Sequence, residues 1–254
     1  MINGKVIMID LEKLLAIAEQ AARRAGTLLA KHMVSGRELR SSHGHDIKIA
    51  ADVQSETCLI NYLKTKTDYP ILTEETGMIG REVQDGCMWV VDPLDGSMNF
   101  LRGIPLNCIA LGLWRKNKPV LGVIYDFHRN ELFAGIADKA AWLNGEQIKV
   151  SRTAKKKDAI ICTGFPVNTD YSAAGIAALI KQIQEYKKVR LFGSAALSLA
   201  YVASGRVDAY YENDIMIWDV AAGLAIVSGA GGVTRLRPSV KKNAFKVYAA
   251  NGHF

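Results

Sequence analysis

The sequence has few cysteines and no long hydrophobic run, and each absence excludes a class of protein. The chain contains only four cysteines: Cys58, Cys87, Cys108 and Cys162. Because they form no CxxC pair and have no histidine at zinc-ligand spacing, we expect reduced core thiols rather than a disulfide framework. No apolar stretch approaches the roughly 20 residues of a membrane helix, and the N-terminus lacks the apolar core and cleavage site of a signal peptide. The expected protein is cytoplasmic and does not bind a membrane.

Positive charge is in modest excess. The chain carries 32 Lys and Arg against 25 Asp and Glu, a formal net charge of +7, and its pI is about 9.2. The basic residues are dispersed, and the densest run, at 152–157, contains no aromatic residue. A solvated loop is therefore favoured over a nucleic-acid surface, which stays an alternative. A diffuse positive field would also attract small phosphorylated molecules.

Hydrophobic periodicity and turn residues divide the chain into two halves. Apolar residues at helical spacing over 10–33 and 52–66 are followed by strand-like runs joined by short turns, which predicts helices and then an antiparallel meander. Beyond this meander, predicted strands and helices alternate. The boundary falls near 145–158, so we expect an N-terminal half over 1–145 and a C-terminal half over 146–254.

The periodicity also predicts individual elements. The strands of the meander are predicted at 88–91, 106–114, 119–126 and 131–137, with a hairpin turn at 143–146. The later strands are predicted at 159–163, 189–192 and 207–211, and the later helices at 172–186, 193–204 and 219–228. The polar stretch SSHGHD at 41–46 is typical of an exposed loop. His43 and His45 within it have no third metal ligand nearby, which argues against a metal site there.

Two aspartates follow a buried strand in the stretch WVVDPLDGSMNF, residues 89–100. Asp92 precedes Pro93, so its backbone should be extended and it should occupy the last position of the strand. Gly96 permits an unusual turn, and Ser97 should begin a helical turn whose N–H groups favour an anion. Carboxylates and an anion are compatible in one place when a divalent cation lies between them. The stretch therefore predicts a metal-bound phosphate.

The alternative is that these acids only cap local structure, Asp92 the turn and Asp95 the helix. Two further acidic features weaken that alternative. The pair Glu74-Glu75 also follows a short buried strand, and Asp219 precedes an Ala/Gly-rich helix, where a helix N-cap is the competing interpretation. Magnesium prefers several oxygen ligands, which this set supplies. No Ser-His-Asp or Cys-His arrangement, nucleophile elbow or GxxxxGK[ST] loop competes with metal-assisted chemistry.

Three motifs in this order resemble the inositol monophosphatase family. They are Glu74-Glu75, DPLDGSMNF at 92–100 and WDVAAG at 218–223. Further similar stretches are residues 46–52, Gly193-Ser194-Ala195 and DAYYE ending at Glu212. The resemblance implies a magnesium-dependent, lithium-sensitive phosphomonoesterase. It also implies the α/β (α+β) class as a layered α-β-α-β-α sandwich, and a homodimer with the site between the two halves of each chain.

Carried over by position, the resemblance implies two or three Mg²⁺ ions. The implied metal ligands are Glu74, Asp92, the carbonyl of Leu94, Asp95 and Asp219. For the phosphate, the implied binding groups are the N–H groups of Gly96 and Ser97; for substrate hydroxyls, they are the backbone at Ala195 and the side chain of Glu212. The implied catalytic residues are Glu74 and Ser97, with the Ser97 hydroxyl oriented by Asp52, which together would position and activate a water molecule.

The chain departs from the family pattern at a few positions. Ser97 replaces a customary threonine, which keeps the hydroxyl but loses the methyl that fixes the rotamer. Lys48 is unusual, Ile49 stands where a threonine is common, and Thr73 replaces a frequent glycine. None of these changes removes an implied metal ligand. They bear on substrate preference more than on chemistry.

The substrate that the resemblance favours is an inositol monophosphate or a similar polyol phosphate. Relatives with these motifs act on fructose 1,6-bisphosphate, histidinol phosphate or 3′-phosphoadenosine nucleotides, and these remain alternatives. A bisphosphate would need additional basic residues for its second phosphate. An alternative of another class is a binding protein for RNA or the transcription machinery, consistent with the basic pI. The complete set of implied ligands favours the enzyme.

Overall fold

The computed structural model describes residues 10–35, 39–43, 46–81, 83, 85–165 and 169–254. Its helices are α1 Leu11–Ser35, α2 Ala50–Lys64, α3 Ser97–Arg102, α4 Ala173–Ile183, α5 Ala195–Ala203 and α6 Ile217–Gly229, with a 3₁₀ turn at Lys156–Asp158. Asp10 accepts a hydrogen bond from the Lys13 N–H at 3.0 Å, which caps the start of α1.

The described strands form a two-stranded hairpin and two larger sheets. The hairpin consists of β1 Leu39–His43 and β2 Asp46–Ile49. The first large sheet contains β3 Ile71–Thr73, β4 Gly77–Ile79, β5 Cys87–Asp95, β6 Cys108–Arg115, β7 Lys118–Asp126, β8 Glu131–Ile136, β9 Ala140–Leu143 and β10 Glu146–Ile148. The second contains β11 Ile160–Thr163, β12 Lys188–Arg190, β13 Ala209–Met216, β14 Val233–Pro238 and β15 Ala244–Ala250.

Strand order confirms the predicted meander. The first sheet runs β10-β9-β8-β7-β6-β5-β3-β4, and successive strands from β5 to β10 are antiparallel neighbours. β3 is parallel to β5. The second sheet runs β12-β11-β13-β15-β14, with β11 parallel to both of its neighbours. The alternating strands and helices of the second half therefore build a mixed sheet.

Five layers stack in the order helix, sheet, helix, sheet, helix. Alternate residues of β5 enter different cores, because successive side chains of a strand point to opposite faces. Trp89 and Val91 pack with α1 and α2, whereas Val90 packs with α5 and α6. The α5 and α6 layer also contacts the second sheet at Tyr210, and α4 covers the far face of that sheet through Ile183. The predicted α-β-α-β-α sandwich is confirmed.

A row of three glycines lets α6 lie directly on the first sheet. Gly112, Gly122 and Gly135 are register partners across β6, β7 and β8. A Cβ added at Gly122 would lie 2.1 Å from the carbonyl oxygen of Ala222 in α6. The missing side chains therefore set the depth of α6, and with it the position of the first turn of the helix.

Some predicted boundaries are wrong. Residues 41–46 are not an exposed loop, because the described residues on either side of the turn belong to the hairpin of β1 and β2; His45 and the side chain of His43 lie outside the described residues. β5 does not end at Asp92 but continues to Asp95 with a register shift between the two. The helix predicted at 219–228 begins two residues earlier, at Ile217, so Asp219 lies inside its first turn and is not its N-cap.

The hairpin and cysteine predictions can also be compared with the structure. Leu143 pairs with Glu146, and Asn144 and Gly145 between them both have positive φ, as the predicted tight turn requires. All four cysteines are free, although Cys58 is only partly buried. Among the described helices, none combines the length and apolarity needed to cross a membrane. The division of the chain near residue 145 stays a prediction.

Candidate active site

The turn after β5 places two carboxylates side by side. The Asp92 carboxylate accepts a hydrogen bond from the Leu94 N–H at 3.0 Å, which holds it against the irregular end of the strand. Gly96 follows with φ of +88°, and a Cβ there would lie 2.8 Å from the Leu106 carbonyl oxygen. Both the conformation and the close approach require glycine. α3 then begins at Ser97, as the sequence predicts.

Asp95 is held by the second half of the chain. Its Oδ2 accepts hydrogen bonds from the Ser194 hydroxyl at 2.5 Å and from the Ala196 N–H at 2.7 Å. Ser194 is also the N-cap of α5, where its oxygen accepts a bond from the Leu197 N–H at 3.2 Å. The carboxylate therefore lies at the positive end of a helix dipole. This contact joins the two halves of the chain at the site.

Burial and neighbouring negative charge both act on the pKa values of these acids. Burial raises the pKa of Asp92 well above its usual range, and the negative charges of Glu74, Asp95 and Asp219 raise it further. Burial also raises the pKa of Asp95 to about 6, although the donors at Ser194 and Ala196 oppose the rise. These interactions place carboxylates from distant segments close enough to share one electrostatic environment.

Asp219 contributes a carboxylate from the first turn of α6. Part of its surface is exposed, yet burial is the largest cause of its raised pKa, followed by the charges of Glu74, Asp95 and Glu212. Within the described part of the chain, the ion pairs involve other acids. Among the described residues, no group of three or more His, Cys, Asp or Glu side chains is arranged so that it could hold a metal ion as it stands. The argument for a bound cation is therefore that neighbouring carboxylates repel one another, because a dication between them would relieve that repulsion.

A buried glutamate that the sequence analysis did not select shapes the turn that carries Glu74. Glu56 on α2 accepts hydrogen bonds from the Thr73 hydroxyl at 2.6 Å and from the Thr76 N–H and hydroxyl at 3.0 and 2.7 Å. It also accepts one from the Glu75 N–H at 3.2 Å. Glu56 is 3% exposed. Its hydrogen bonds fix the backbone on both sides of Glu74.

Ser97 and Asp52 meet as the resemblance implies. The Ser97 hydroxyl lies 3.1 Å from Oδ1 of Asp52 and 3.0 Å from the Leu94 carbonyl oxygen, and its single proton can be donated to only one of them at a time. Asp52 is buried in α2. Nearby, Ser55 donates a hydrogen bond to the Pro93 carbonyl at 2.7 Å, which ties α2 to the turn after β5.

A cavity of about 190 Å³ opens beside these carboxylates. The predicted site residues that line it are Asp95, Ala195, Glu212 and Asp219. Burial raises the pKa of Glu212 to about 7, the hydrogen bond from the Tyr210 hydroxyl at 2.7 Å opposes the rise, and the charge of Asp95 adds to it. Gly164 packs against the Glu212 carboxylate, and a Cβ added at Gly164 would lie 2.7 Å from Oε2 of Glu212.

The structure therefore brings most of the predicted site together. Asp95, Asp219, Glu212 and Ala195 share the cavity, and Asp92 and Glu74 interact with its acids. Sequence reasoning missed the supporting roles of Glu56, whose partners lie 17 to 20 positions away in the chain, and Ser194, whose partner Asp95 lies 99 positions away. A partial signal existed for Ser194, which precedes a small-residue helix as an N-cap would.

Comparison with known proteins identifies a family. The inositol monophosphatase family matches residues 10–250. The chain is 37% identical over 224 residues to the Nus factor SuhB of Pasteurella multocida, covering 87% of this chain and 84% of that protein. It is 34% identical over 253 residues to inositol monophosphatase 2 of Solanum lycopersicum, covering 96% and 95%.

The fold is similar to a solved structure as well. The crystal structure of the extragenic suppressor protein suhB from Bartonella henselae superposes with a TM-score of 0.83 at 33% identity, covering 94% of each chain. Sequence and structure thus match the same group of proteins over nearly the whole length. The chain belongs to the inositol monophosphatase family.

Proposed function

We propose that the protein is a magnesium-dependent phosphomonoesterase that hydrolyses inositol monophosphate or a similar polyol or sugar phosphate. The observation that carries the proposal is the convergence of three carboxylates beside a cavity: Asp92 and Asp95, which are buried, and the partly exposed Asp219. Family membership supports a phosphatase, and the family is generally magnesium-dependent. A homodimer, a cytoplasmic location and lithium sensitivity remain predictions.

The donor set is the kind that magnesium prefers, since Mg²⁺ binds carboxylate and carbonyl oxygens and keeps several waters. The groups that would hold two or three ions are Glu74, Asp92, the Leu94 carbonyl, Asp95 and Asp219. When bound, magnesium neutralises a phosphate dianion and acidifies water. Because positive charge would lower the raised pKa values of these acids, occupancy also keeps them ionised at neutral pH.

The chain's own groups would orient the reactants. The N–H groups of Gly96 and Ser97 precede the first hydrogen bond of α3, from the Phe100 N–H to the Gly96 carbonyl at 3.0 Å, and would bind phosphate oxygens. The Ser97 hydroxyl would accept a hydrogen bond from the attacking water while donating to Asp52. Glu74, in the turn between β3 and β4, would hold the same water and accept its proton.

The cavity favours a monophosphate over a bisphosphate. Glu212 and the Ala195 backbone supply polar groups for substrate hydroxyls, and Glu212 can accept two hydrogen bonds from a polyol. None of the described residues lining the cavity is Lys or Arg. A second phosphate, as in fructose 1,6-bisphosphate or a 3′-phosphoadenosine nucleotide, would find no cation there. Inositol monophosphate, or histidinol phosphate as the smaller alternative, fits this chemistry better.

A second candidate is a transcription-associated role of the kind that the name of several relatives suggests. Proteins named Nus factor SuhB are 37% to 39% identical to this chain over 220 to 224 residues. Such a role would be compatible with phosphatase activity, since the implied metal ligands are all present. It would require a surface for a macromolecule in addition to the cavity.

The test is a panel of phosphate monoesters assayed for phosphate release with magnesium, with EDTA, and with lithium added to the magnesium reaction. We expect magnesium-dependent release from inositol monophosphate that exceeds release from fructose 1,6-bisphosphate and that lithium inhibits. Absence of release from every ester, combined with binding to RNA or a transcription complex, would favour the second candidate.

A further inference from the structure

A larger cavity, of about 490 Å³, lies on the outer face of the second sheet. Its lining shares no residue with that of the cavity beside the carboxylates, and on β13 Tyr210 packs in the inner layer whereas Tyr211 packs in the outer one. The side chains that the argument uses are Tyr186, Tyr211, Arg235, Arg237, Lys246 and Tyr248. No function described above involves this face.

The cavity exists because α4 covers only part of the sheet. Ile183 and Tyr186 at the end of α4 pack on β11 and β13, where Ala209 and Tyr211 belong to the same small core. The next two strands, β15 and β14, extend beyond the helix, and Val233 on β14 is 42% exposed. The floor of the cavity is thus an open sheet surface bordered on one side by a helix.

The charged side chains on this floor, Arg235, Arg237 and Lys246, are all positive, and two of them are directly opposite each other on neighbouring strands. Arg237 on β14 is the direct register partner of Lys246 on β15, and like charges directly opposite on a sheet are destabilising. Arg235 lies two residues from Arg237 on the same face. Within the described part of the chain, none of the three forms a salt bridge. Lys156 at the rim does, with Glu185 at 2.7 Å.

Aromatic rings lie next to these cations on the same face of the sheet. The Arg235 guanidinium lies 5.7 Å from the ring centre of Tyr248, its register partner, and the Lys246 ammonium lies 5.3 Å from that of Tyr211. Tyr211 and Tyr248 are themselves register partners. Tyr211 is buried, at 5% exposure, so the cavity offers positive charge beside one partly exposed aromatic ring, that of Tyr248.

Protection of a sheet edge is the simpler explanation for part of this arrangement. Charged side chains on an edge strand prevent pairing with other chains, and β14 is an edge strand. That explanation does not extend to Lys246, Tyr248 or Tyr211, which lie on the interior strands β15 and β13. Cations opposite one another beside an aromatic ring are instead the chemistry that binds nucleotides.

We propose that this groove binds a nucleotide unit, with its phosphate between Arg237 and Lys246 and its base against the partly exposed ring of Tyr248. A bound phosphate removes the repulsion between the two cations, and the volume is within the range of small-molecule sites. The unit is a free nucleotide or one residue of a single-stranded nucleic acid. A free nucleotide and a residue of a nucleic-acid strand present the same phosphate and base to the groove. They differ in whether a single nucleotide is enough for measurable binding.

The experiment measures binding to the full chain in EDTA, so that a metal-loaded carboxylate site does not contribute. Fluorescence anisotropy reports a labelled single-stranded RNA of about 12 nucleotides, and calorimetry reports AMP, both at about 50 mM salt. The test variant is Arg237→Gln with Lys246→Gln. The matched control is Lys241→Gln with Lys242→Gln, which removes the same charge from exposed positions of the connection between β14 and β15.

We expect the test variant to bind about tenfold or more weakly than the wild type, with a salt dependence shallower by about two ions, and the control to change less than about twofold. Tyr248→Phe should retain binding and Tyr248→Ala should lose it, with thermal unfolding confirming that each variant folds. Binding of AMP identifies a nucleotide pocket, and binding of RNA alone identifies a strand-binding groove. The proposal would be overturned if the wild type does not bind, if the test and control variants lose binding equally, or if the test variant has a changed oligomeric state. Phosphatase activity should be the same in all variants.

Discussion

Single side chains explain why the acids stay where they repel one another. Asp95 receives two donors from the start of α5, and Asp92 receives the Leu94 N–H. These hydrogen bonds favour the ionised carboxylates, whereas burial opposes ionisation. Because burial outweighs the donors, the metal-free site carries a cost at neutral pH that a bound dication would relieve.

The first prediction concerns pH. Asp95, with a pKa raised from 3.8 to about 6, and Glu212, with one raised from 4.5 to about 7, both bind protons more tightly in the folded protein than in the unfolded chain. The stability they contribute is complete below about pH 4 and is lost as the pH rises through about 6 to 7. In EDTA, the melting temperature of the wild type should therefore decrease between about pH 5 and 8, and the decrease should be smaller in Glu212→Gln. Identical profiles for this variant and the wild type would contradict the assignment.

Glu56 gives the second prediction, since it holds the turn around Glu74 without reaching the cavity. Replacing Glu56 by Gln converts one of its acceptor oxygens into a donor and breaks part of the set of hydrogen bonds from Thr73 and Thr76. We expect the magnesium concentration for half-maximal activity to rise by about tenfold, corresponding to about 1.4 kcal/mol. Glu12→Gln, an acid-to-amide change on the exposed face of α1, is the control and should leave it unchanged.

Ser97 gives the third prediction. Removal of its hydroxyl by Ser97→Ala should lower kcat on the order of 10²-fold, because the link from the attacking water to Asp52 is lost. Ser97→Thr keeps the hydroxyl and restores the residue customary in the family, so its kcat should be equal to or above that of the wild type. If alanine and threonine behave alike in kcat measurements with saturating magnesium, the hydroxyl has no part in the reaction.

At the scale of elements, the seat of α6 on the glycine row positions Asp219. Gly122→Ala would drive a methyl group into the Ala222 carbonyl, so we expect a loss of unfolding free energy of about 2–3 kcal/mol and weaker magnesium binding. Gly112→Ala meets α6 at 3.0 Å and should cost less. Chemical denaturation of the two variants measures both. Equal stability of Gly122→Ala and the wild type would show that the helix does not depend on the row.

Elements with strong periodicity could be predicted from the sequence, and their ends could not. The meander strands and α1 are long amphipathic or apolar runs, so local pattern sufficed. The extension of β5 through Pro93 to Asp95, and the start of α6 at Ile217, depend on partners such as Cys108, which pairs with Asp95. The hairpin at 39–49 was missed because its polar sequence lacks the alternation of a half-buried strand.

At the scale of the whole molecule, the site forms where both sheets meet the shared helices. α5 and α6 pack against the two sheets at once, and each supplies a part of the site at its first turn: the donors to Asp95 from α5 and the carboxylate of Asp219 from α6. Asn99 adds a further link by donating to the Phe192 carbonyl at 2.8 Å. The layered fold therefore brings within electrostatic reach acids that lie more than 100 positions apart, such as Asp95 and Asp219.

The acids of the site were predictable because each follows a strand or starts a helix in a recognisable motif. Their convergence is supported by the pKa coupling of Asp92 with Glu74, Asp95 and Asp219. The supporting residue Glu56 and the cationic groove on the outer face were not predictable, because only long-range packing and strand register create them. The local sequence contains the proposed ligands, and the tertiary structure provides the residues that position them.

The most direct test of the central claim compares Asp92→Asn with the wild type in thermal unfolding, with EDTA and with magnesium, alongside phosphate release. In EDTA the variant should melt at the same temperature or higher, because one repelling charge is gone, which also shows that it folds. Magnesium should raise the melting temperature of the wild type and not that of the variant, whose turnover should fall by several orders of magnitude. A variant that keeps both the magnesium shift and near-full turnover would contradict the claim that these buried carboxylates form a metal site.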